Sequence, residues 1–270
     1  MYAKLAFSTL GCPELSFPEI TALARANGIR GLEIRGLGGR MKPDEIAELS
    51  ADGWPATREL LQESGLELVG FGSSVRFDDA AGLDAAFAEG RAAIALARRC
   101  QIPYIRVFGD RLPDEPQDWP AVQRRVADGL VTLAAEAAAA GVTIILEVHG
   151  SFNRMETLGP VLEAVGERPG FGILWDLAHS DRAYGDDWEP FYGLIRPWIR
   201  HVHTKDHVRA DDYRLVQPGA GDIPVARIAS RLVADGYDGW FSLEWERAWH
   251  PELPSLAEAL PLFVADFAGV

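Results

Sequence analysis

Short strand-like runs alternate with longer helical runs along this chain, and a glycine stands at the change from helix to strand in four places. These glycines are Gly28, Gly65, Gly141 and Gly236, and an apolar or aromatic residue follows each of them. A glycine at this position adopts the left-handed conformation that ends a helix and turns the chain toward the sheet. Four such stops predict repeated helix-to-strand turns.

Eight segments have the composition of strands that are covered on both faces, being rich in Ile, Val, Leu and Phe. They are Lys4–Ser8, Gly31–Arg35, Glu67–Phe71, Tyr104–Phe108, Thr143–Val148, Gly172–Trp175, Ile199–His203 and Trp240–Trp245. Helical stretches between and after them include Phe17–Asn27, Asp44–Ser64, Leu83–Cys100, Ala121–Ala140 and Leu256–Phe267. This alternation predicts an α/β fold, a parallel (β/α)8 TIM barrel. An open doubly wound sheet is the alternative, but no glycine-rich phosphate loop follows the first strand.

The length of 270 residues fits one barrel of this kind, which takes roughly 250 residues, and 48% hydrophobic residues supply a large core. We see no linker or low-complexity tract, so residues 1–270 are predicted to form a single domain. Prolines interrupt the helical pattern around Gly185–Pro197, which is the weakest unit. The long loops Gly109–Trp119 and His207–Gly221 are expected over the active-site face, because loops that follow barrel strands lie there.

Charge and cysteine content restrict the partners and the compartment. A formal charge of −14 repels phosphate backbones and disfavours a nucleic-acid partner. The two cysteines, Cys12 and Cys100, are far apart and are expected as free thiols, with a disulfide as the alternative. The start of the chain lacks the pattern of a secretion signal, and no apolar stretch reaches membrane-spanning length. A cytoplasmic protein without a membrane partner is therefore expected.

Polar residues close four of the later strands. Glu147, Asp176, His203 and Glu244 stand at these ends, spaced along the chain by about one strand-and-helix unit. In a barrel, residues at the same height on successive strands converge on the axis. Three carboxylates and an imidazole brought together there would repel one another without a cation. The pattern therefore predicts one divalent metal ion, with Mn²⁺ or Mg²⁺ favoured by the hard oxygen ligands and Co²⁺ or Zn²⁺ allowed.

A purely structural reading of these four residues stays open at this point. A carboxylate at the end of an apolar strand also serves to cap the next helix or to pair with an arginine. For one residue the structural reading is as good as the functional one. For four residues at matching strand ends, the metal site explains more.

Further charged residues lie on or beside the predicted strands. Glu33 and Arg35 share one face of the second strand, Arg106 lies in the fourth strand, and Lys205 follows the seventh. A charged residue is costly on a strand face that helices cover, so we interpret Glu33, Arg35 and Arg106 as pocket residues that bind substrate hydroxyls, a carboxylate or a phosphate. Lys205 is interpreted as a substrate-binding cation. The alternatives are a buried ion pair for Glu33 with Arg35 or Arg106, and a solvated loop position for Lys205.

Together these motifs resemble those of the sugar phosphate isomerase/epimerase family of xylose isomerase-like barrels. The resemblance runs over nearly the whole chain and rests on Ser8–Cys12, Gly31–Arg35, Leu146–His149, Asp176–His179, His203–Asp206 and Leu243–Glu244. The Asp-x-x-His and His-x-Lys-Asp pieces, placed between two strand-end glutamates, are quite specific for this superfamily. They do not name a substrate.

The resemblance implies that Glu147, Asp176, His203 and Glu244 are the metal ligands. It implies that Glu147 and Glu244 double as the catalytic acid and base, and that His179 contacts the substrate. His149 is a further pocket residue by the same resemblance. One departure is visible, because ketose 3-epimerases carry another glutamate several residues past the first ligand, where this chain has Asn153, Arg154 and, slightly late, Glu156.

The function expected from these features is a metal-dependent isomerase or epimerase. It would act on a small sugar, sugar phosphate or polyol through an enediolate formed by the glutamate pair. The alternative is a dehydratase on the same scaffold, similar to inosose or dehydroshikimate dehydratases. An endonuclease IV-like enzyme would need more histidines than the six present, and a non-catalytic barrel would not need the four ligands. A homo-oligomer is compatible with the resemblance, although the sequence shows no interface.

Overall fold

The computed structural model describes residues 3–270. The strands are β1 (Lys4–Ser8), β2 (Gly31–Ile34), β3 (Glu67–Arg76), β4 (Tyr104–Phe108), β5 (Thr143–Glu147), β6 (Phe171–Asp176), β7 (Ile199–Thr204), β8 (Asp206–Val208), β9 (Arg214–Val216) and β10 (Trp240–Leu243). The α-helices are α1 (Phe17–Ala26), α2 (Trp54–Ser64), α3 (Leu83–Cys100), α4 (Trp119–Ala139), α5 (Met155–Val165), α6 (Leu177–Tyr184), α7 (Glu189–Ile195), α8 (Val225–Ala234) and α9 (Leu256–Asp266).

Eight of these strands close into a parallel barrel in the order β1-β10-β7-β6-β5-β4-β3-β2, with β8 and β9 forming a separate two-stranded sheet. A closed ring of parallel strands with intervening helices is the (β/α)8 fold. The prediction of a TIM barrel is therefore confirmed, and the open doubly wound sheet is excluded.

The contacts of the chain fall into two compact units. The first comprises the residues up to Met41 together with Glu45–Val69 and His201–Val270. In this unit β1 pairs with β2 and with β10, and β10 pairs in turn with β7. The side chains of Phe7 and Phe241 are almost completely buried in its apolar interior.

The second unit comprises Lys42–Asp44 and Gly70–Arg200. Here β4 pairs with β3 and β5, and β5 pairs with β6. Helices α3 and α4 pack closely at Gly90, where an added Cβ would lie 2.8 Å from the Leu133 side chain. A glycine at this point lets the two helices approach, which larger residues would prevent.

All four predicted helix-stop glycines adopt the left-handed conformation. Their φ angles are +68° at Gly28, +65° at Gly65, +74° at Gly141 and +92° at Gly236. An L-residue with a Cβ is strained in this region of φ, whereas glycine enters it freely. These turns connect helices to the strands that follow, as the sequence predicted.

Two predicted segments were wrong. The helix expected over Asp44–Ser64 begins only at Trp54, because the chain folds back on itself before that residue. An added Cβ at Gly53 would lie 2.0 Å from the Ala47 carbonyl oxygen, so the close turn excludes a continuous helix. The loop expected over His207–Gly221 instead contains most of the antiparallel pair β8 and β9.

Asp206 organises the segment that follows this small sheet. Its buried carboxylate accepts hydrogen bonds from the backbone N–H groups of His207 at 2.9 Å, Gly221 at 2.8 Å and Ile223 at 3.2 Å. Burial raises the pKa of Asp206 because the charged form loses hydration, although the hydrogen bonds act in the opposite direction. Asp206 therefore holds the loop through backbone contacts.

Two glycine-to-alanine substitutions are expected to change stability in opposite directions. At Gly221 an added Cβ would lie 2.2 Å from Oδ1 of Asp206 and 2.4 Å from the His207 carbonyl oxygen. Gly221→Ala should therefore destabilise the protein by about 1–3 kcal/mol. Gly193 in α7 has no atom within 4 Å of the added Cβ, and Gly193→Ala should stabilise by about 0.5–1 kcal/mol through helix propensity. Urea unfolding measures both, and an unchanged midpoint for Gly221→Ala would contradict the packing described.

Both cysteines, Cys12 and Cys100, are buried free thiols, as the sequence predicted. Burial raises the pKa of Cys12 to about 12, with Glu14 adding to the effect. Within residues 3–270, every helix is too short or too polar to cross a membrane. The expectation that the chain lacks a secretion signal includes Met1 and Tyr2, which lie outside the described residues.

Candidate metal and active site

Strand β7 places two histidines beside a glutamate of β2. His201 and His203 lie two residues apart and therefore share one face of the strand. Nε2 of His201 lies 2.8 Å from Oε2 of Glu33, and Nε2 of His203 lies 2.9 Å from both Glu33 oxygens. All three residues are at most 2% exposed. Glu33 is thus a shared hydrogen-bond partner of the two imidazoles.

The electrostatics of this cluster favour negative charge on Glu33 and positive charge at His203. Burial acts to raise the pKa of Glu33, but the charge of His203 and hydrogen bonds from both histidines hold it well below its usual range. Burial acts to lower the pKa of His203, but Glu33 and Glu244 raise it well above its ordinary value. The surroundings of His203 therefore attract a cation.

Glu244 lies just beyond β10, with its carboxylate directed at groups of β7 and the following loop. Oε1 of Glu244 is 3.4 Å from Nδ1 of His203. Nζ of Lys205 is 2.5 Å from Oε2 of Glu244 and 2.5 Å from Oε1 of Glu246. The backbone N–H of Glu244 also donates to the Thr204 carbonyl at 3.0 Å, which fixes the strand end. Lys205 is 4% exposed and engaged with two carboxylates, so it is not a solvated loop lysine.

In the second unit, Glu147 closes β5 and contacts the guanidinium of Arg106 on β4. Both side chains are at most 5% exposed, so this is a buried ion pair. The Arg106 guanidinium also stacks on Phe108, 4.0 Å from the ring centroid. The arginine pairing considered for the strand-end carboxylates is therefore real for Glu147.

Asp176 closes β6 and begins α6. Its Oδ1 accepts a hydrogen bond from the backbone N–H of His179 at 3.0 Å, which is the geometry of a helix N-cap. The sequence allowed a helix-capping role for the strand-end carboxylates, and Asp176 has that role at the start of α6. A carboxylate has two oxygens, so one can cap the helix while the other faces a ligand.

Beyond these strand ends, His149 and His179 form a half-buried aromatic cluster with Phe108. The ring centroids of the two histidines lie 4.3 Å apart, and His149 lies 4.8 Å from Phe108. Nδ1 of His149 is 3.4 Å from Oδ1 of Asp110. The contact with His149, together with Arg76, lowers the pKa of Asp110 despite partial burial.

Asp110 is a member of this cluster that the sequence reasoning missed. Its φ of +64° is uncommon for a residue with a side chain, and its carbonyl oxygen accepts a hydrogen bond from Ser151 at 2.9 Å. Its position two residues after the fourth strand was the available signal, because residues at such ends border barrel active sites.

Two groups of described residues have ligand atoms close enough to hold a metal ion. One consists of Glu147, Asp176, His203 and Glu244, whose ligand atoms all lie within 4.8 Å of one another. The other consists of Glu33, His201 and His203. All members of both groups are buried.

The donor set of the four-residue group fits a divalent cation. Octahedral ligands about 2.1 Å from an ion lie about 3 to 4.2 Å apart, which is compatible with the 4.8 Å limit. Three carboxylates and one imidazole supply hard oxygen ligands and a nitrogen. Arg106 and Lys205 pair with two of the three acids, and a bound cation would supply further positive charge to this buried group.

The remaining predicted pocket residues have identified neighbours. Nη1 of the half-buried Arg35 lies 3.5 Å from the sulfur of Met41. The hydrogen bonds of Glu33 given by the structure go to histidines, which differs from the ion pair with Arg35 or Arg106 considered from the sequence. The substrate-binding roles of these residues remain predictions.

Comparison with known proteins gives a curated relative and several solved structures of similar fold. A Streptomyces coelicolor protein, named provisionally as hydroxypyruvate isomerase, is 30% identical over 152 residues. The match covers 51% of this chain and 51% of that protein, so the chain spans about half the length of this curated relative.

Solved structures of similar fold include AsbF from Bacillus anthracis, assigned provisionally as a 3-DHS dehydratase. It has a TM-score of 0.77 and 20% identity, covering 98% of this chain and 97% of AsbF. IolI, crystallised with a zinc atom, has a TM-score of 0.77 and 19% identity over 97% of this chain and 96% of its own. The E. coli 3-keto-D-glucoside 4-epimerase YcjR has a TM-score of 0.71 and 17% identity, covering 92% and 98%. At these identities the likeness concerns the fold alone.

A family model carries the assignment further than these pairwise matches. The model described as xylose isomerase-like TIM barrel matches residues 21–264, which include every strand from β2 to β10. The resemblance to xylose isomerase-like barrels inferred from the motifs is thereby confirmed. The chain belongs to the xylose isomerase-like TIM barrel family.

Proposed function

We propose that this protein is a metal-dependent isomerase or epimerase of a small sugar, sugar phosphate or polyol. The observation that carries the proposal is the buried group of Glu147, Asp176, His203 and Glu244, whose ligand atoms lie within 4.8 Å of one another. These four residues would hold one divalent ion. The oxygen-rich donor set favours Mn²⁺ or Mg²⁺, with Co²⁺ or Zn²⁺ also compatible.

The bound ion would act as a Lewis acid that stabilises negative charge on the substrate oxygens. Glu147 would remove the proton from the carbon next to the substrate carbonyl, leaving the electron pair of the C–H bond in an enediolate. Glu244, after taking up a proton from solvent, would then deliver that proton to the anion, and Glu147 would return its own proton to solvent. Return to the same carbon on the opposite face gives an epimer, whereas return to the neighbouring carbon gives an isomer.

The contacts of the two glutamates support this assignment. Glu147 is in contact with Arg106, and Glu244 lies 2.5 Å from Lys205, so each proposed proton-transfer group has a cation at its carboxylate. Such contacts fix the orientation of a carboxylate that must approach a carbon-bound proton. We propose positioning as the main role of Arg106 and Lys205, with substrate contact as a second role.

The half-buried histidines would contact substrate. We propose that His149 and His179 donate hydrogen bonds to substrate hydroxyls, with Asp110 orienting His149 through the 3.4 Å contact. Arg35 would lie farther out and meet the end of the substrate remote from the reacting carbon. We also propose that residues 1–270 act as a single cytoplasmic barrel domain.

Solvent exchange tests the proposed chemistry whichever product is formed. Metal-depleted protein is reloaded with Mn²⁺, Mg²⁺, Co²⁺ or Zn²⁺ and incubated with ketoses and keto-polyols in D₂O. We expect deuterium at the carbon next to the carbonyl, detected by NMR and dependent on the added metal. Loss of water from a keto-polyol, seen as enone absorbance, would identify the dehydratase alternative. No exchange and no dehydration with any metal would contradict an enzyme of this class.

A further inference from the structure

The geometry of the cluster of Glu33, His201 and His203 determines how the imidazole ring of His203 is oriented. Nε2 of His203 lies 2.9 Å from both oxygens of Glu33, while Nδ1 of the same ring lies 3.4 Å from Oε1 of Glu244. The two ring nitrogens thus face two different carboxylates. The carboxylate of Glu33 lies within hydrogen-bond distance of both imidazoles.

We propose that Glu33 is a positioning residue that holds the Nε2–H of His203 and thereby presents Nδ1 as the metal ligand. This inference rests on the proposed metal site and reassigns Glu33 from substrate binding. An imidazole that donates one N–H to a carboxylate is fixed in both tautomer and ring orientation, and its other nitrogen becomes a better ligand. Which nitrogen of a histidine ring is protonated and which can bind a metal is set by the hydrogen bond that the other nitrogen makes.

His201 completes the arrangement by fixing Glu33. Its Nε2 lies 2.8 Å from Oε2 of Glu33, where an Nε2–H would donate to the carboxylate, and its side chain is 1% exposed. With this bond in place, the Glu33 carboxylate has little freedom to rotate away from His203. His201 therefore holds the Glu33 carboxylate, and Glu33 in turn holds the ring of His203.

A second metal ion held by Glu33, His201 and His203 is the competing interpretation of the same residues. The ligand-atom distances of 2.8 and 2.9 Å are those of N–H···O hydrogen bonds. An ion at this point would have to break both bonds and would enter a cluster whose residues are at most 2% exposed. The two interpretations differ in metal stoichiometry, with one ion per chain expected here and two for the alternative.

The test measures metal affinity and ring protonation rather than turnover. Mn²⁺ binding is followed by the EPR signal of the free ion for wild type, Glu33→Ala, Glu33→Gln and Ser242→Ala. We expect Glu33→Ala to weaken Mn²⁺ binding by about 10–100-fold. Glu33→Gln should lose less, because its amide oxygen can still accept from His203. In ¹⁵N spectra of the Zn²⁺-loaded wild type, Nε2 of His203 should carry a protected proton.

Ser242→Ala is the matched control for a substitution in the same buried layer. Ser242 is fully buried and pairs with His203 in the strand register, and its hydroxyl makes no hydrogen bond among residues 3–270. Its alanine variant should bind Mn²⁺ like wild type. A general effect of disturbing the layer would instead weaken binding in both variants and would count against a specific role of Glu33.

Three results would overturn the proposal. These are unchanged Mn²⁺ affinity in Glu33→Ala, a His203 ring protonated at Nδ1 with Nε2 bare, or two ions per wild-type chain of which Glu33→Ala loses one. If Glu33→Ala fails to fold, Glu33→Gln and the ring spectrum of wild type decide the question. Failure of the proposed function is a separate outcome, since a protein that binds one ion through Nδ1 but exchanges no substrate proton would refute only the reaction. A wild type without any bound ion would refute the metal site and leave no ligand for Glu33 to position.

Discussion

Glu147→Gln, assayed at saturating Mn²⁺, is expected to lower solvent-deuterium exchange by about two to four orders of magnitude. The reason is that the amide cannot accept the proton from the substrate carbon, and removal of a positioned acid or base typically costs this much. Glu147 is 1% exposed and lies at the end of β5, so no water replaces its function easily. The measurement is the initial rate of deuterium incorporation into the substrate that wild type processes.

Glu156→Gln provides the control, because it makes the same chemical change at an exposed position on α5. Its rate should equal that of wild type. Glu147→Gln could lower the rate by weakening metal binding or by removing the base. Measuring the rate at increasing Mn²⁺ concentration separates the two effects, because a defect confined to metal binding disappears when the site is saturated. Wild-type exchange by Glu147→Gln at saturating Mn²⁺ would remove Glu147 from the proton transfer.

Arg106→Met is expected to destabilise the metal-free protein by about 3–5 kcal/mol. The substitution leaves the buried carboxylate of Glu147 without its cation, and breaking a buried ion pair from one side typically costs this amount. Loss of the guanidinium stack on Phe108 adds to the effect. Saturating Mn²⁺ should reduce the difference, because a bound cation then offsets the charge of Glu147.

The exposed pair of Arg91 and Glu136 gives the matched control. Their guanidinium and carboxylate are 2.8 Å apart, but the side chains are 57% and 35% exposed, so Arg91→Met should cost at most about 1 kcal/mol. Urea unfolding with and without Mn²⁺ measures both variants. If Arg106→Met and Arg91→Met lowered the free energy of unfolding by equally small amounts, the buried pair of Arg106 and Glu147 would not stabilise the site.

The fold was accessible from the sequence because its turns are encoded locally. Each of four helices ends at a glycine that is visible in the sequence, namely Gly28, Gly65, Gly141 and Gly236. Strands that are buried on both faces have continuous apolar sequences. The helix prediction was wrong where a tertiary contact overrides the helical pattern of the local sequence. The segment before Trp54 has helical composition, yet the close approach of Gly53 to Ala47 prevents a helix there.

The candidate site was only partly predictable for a related reason. Residues such as Glu147 and Glu244 stand out because charge at the end of an apolar strand is unusual. The partner of Glu33, in contrast, comes from a strand far along the chain, and nothing local to β2 indicates that it meets His201 and His203. Asp110 escaped notice because a single aspartate in a loop is common, and its contact with His149 depends on the backbone conformation of that loop.

The metal content of the purified protein tests the central claim most directly. Wild type and Glu244→Gln are prepared without chelator, supplied with Mn²⁺, freed of excess ion and analysed for metal by elemental analysis. We expect about one equivalent of a divalent metal per wild-type chain and a clear loss in Glu244→Gln, because one of four proposed ligands is then a neutral amide. A wild type that holds no metal after this treatment, or a variant that holds as much as wild type, would contradict the proposed site.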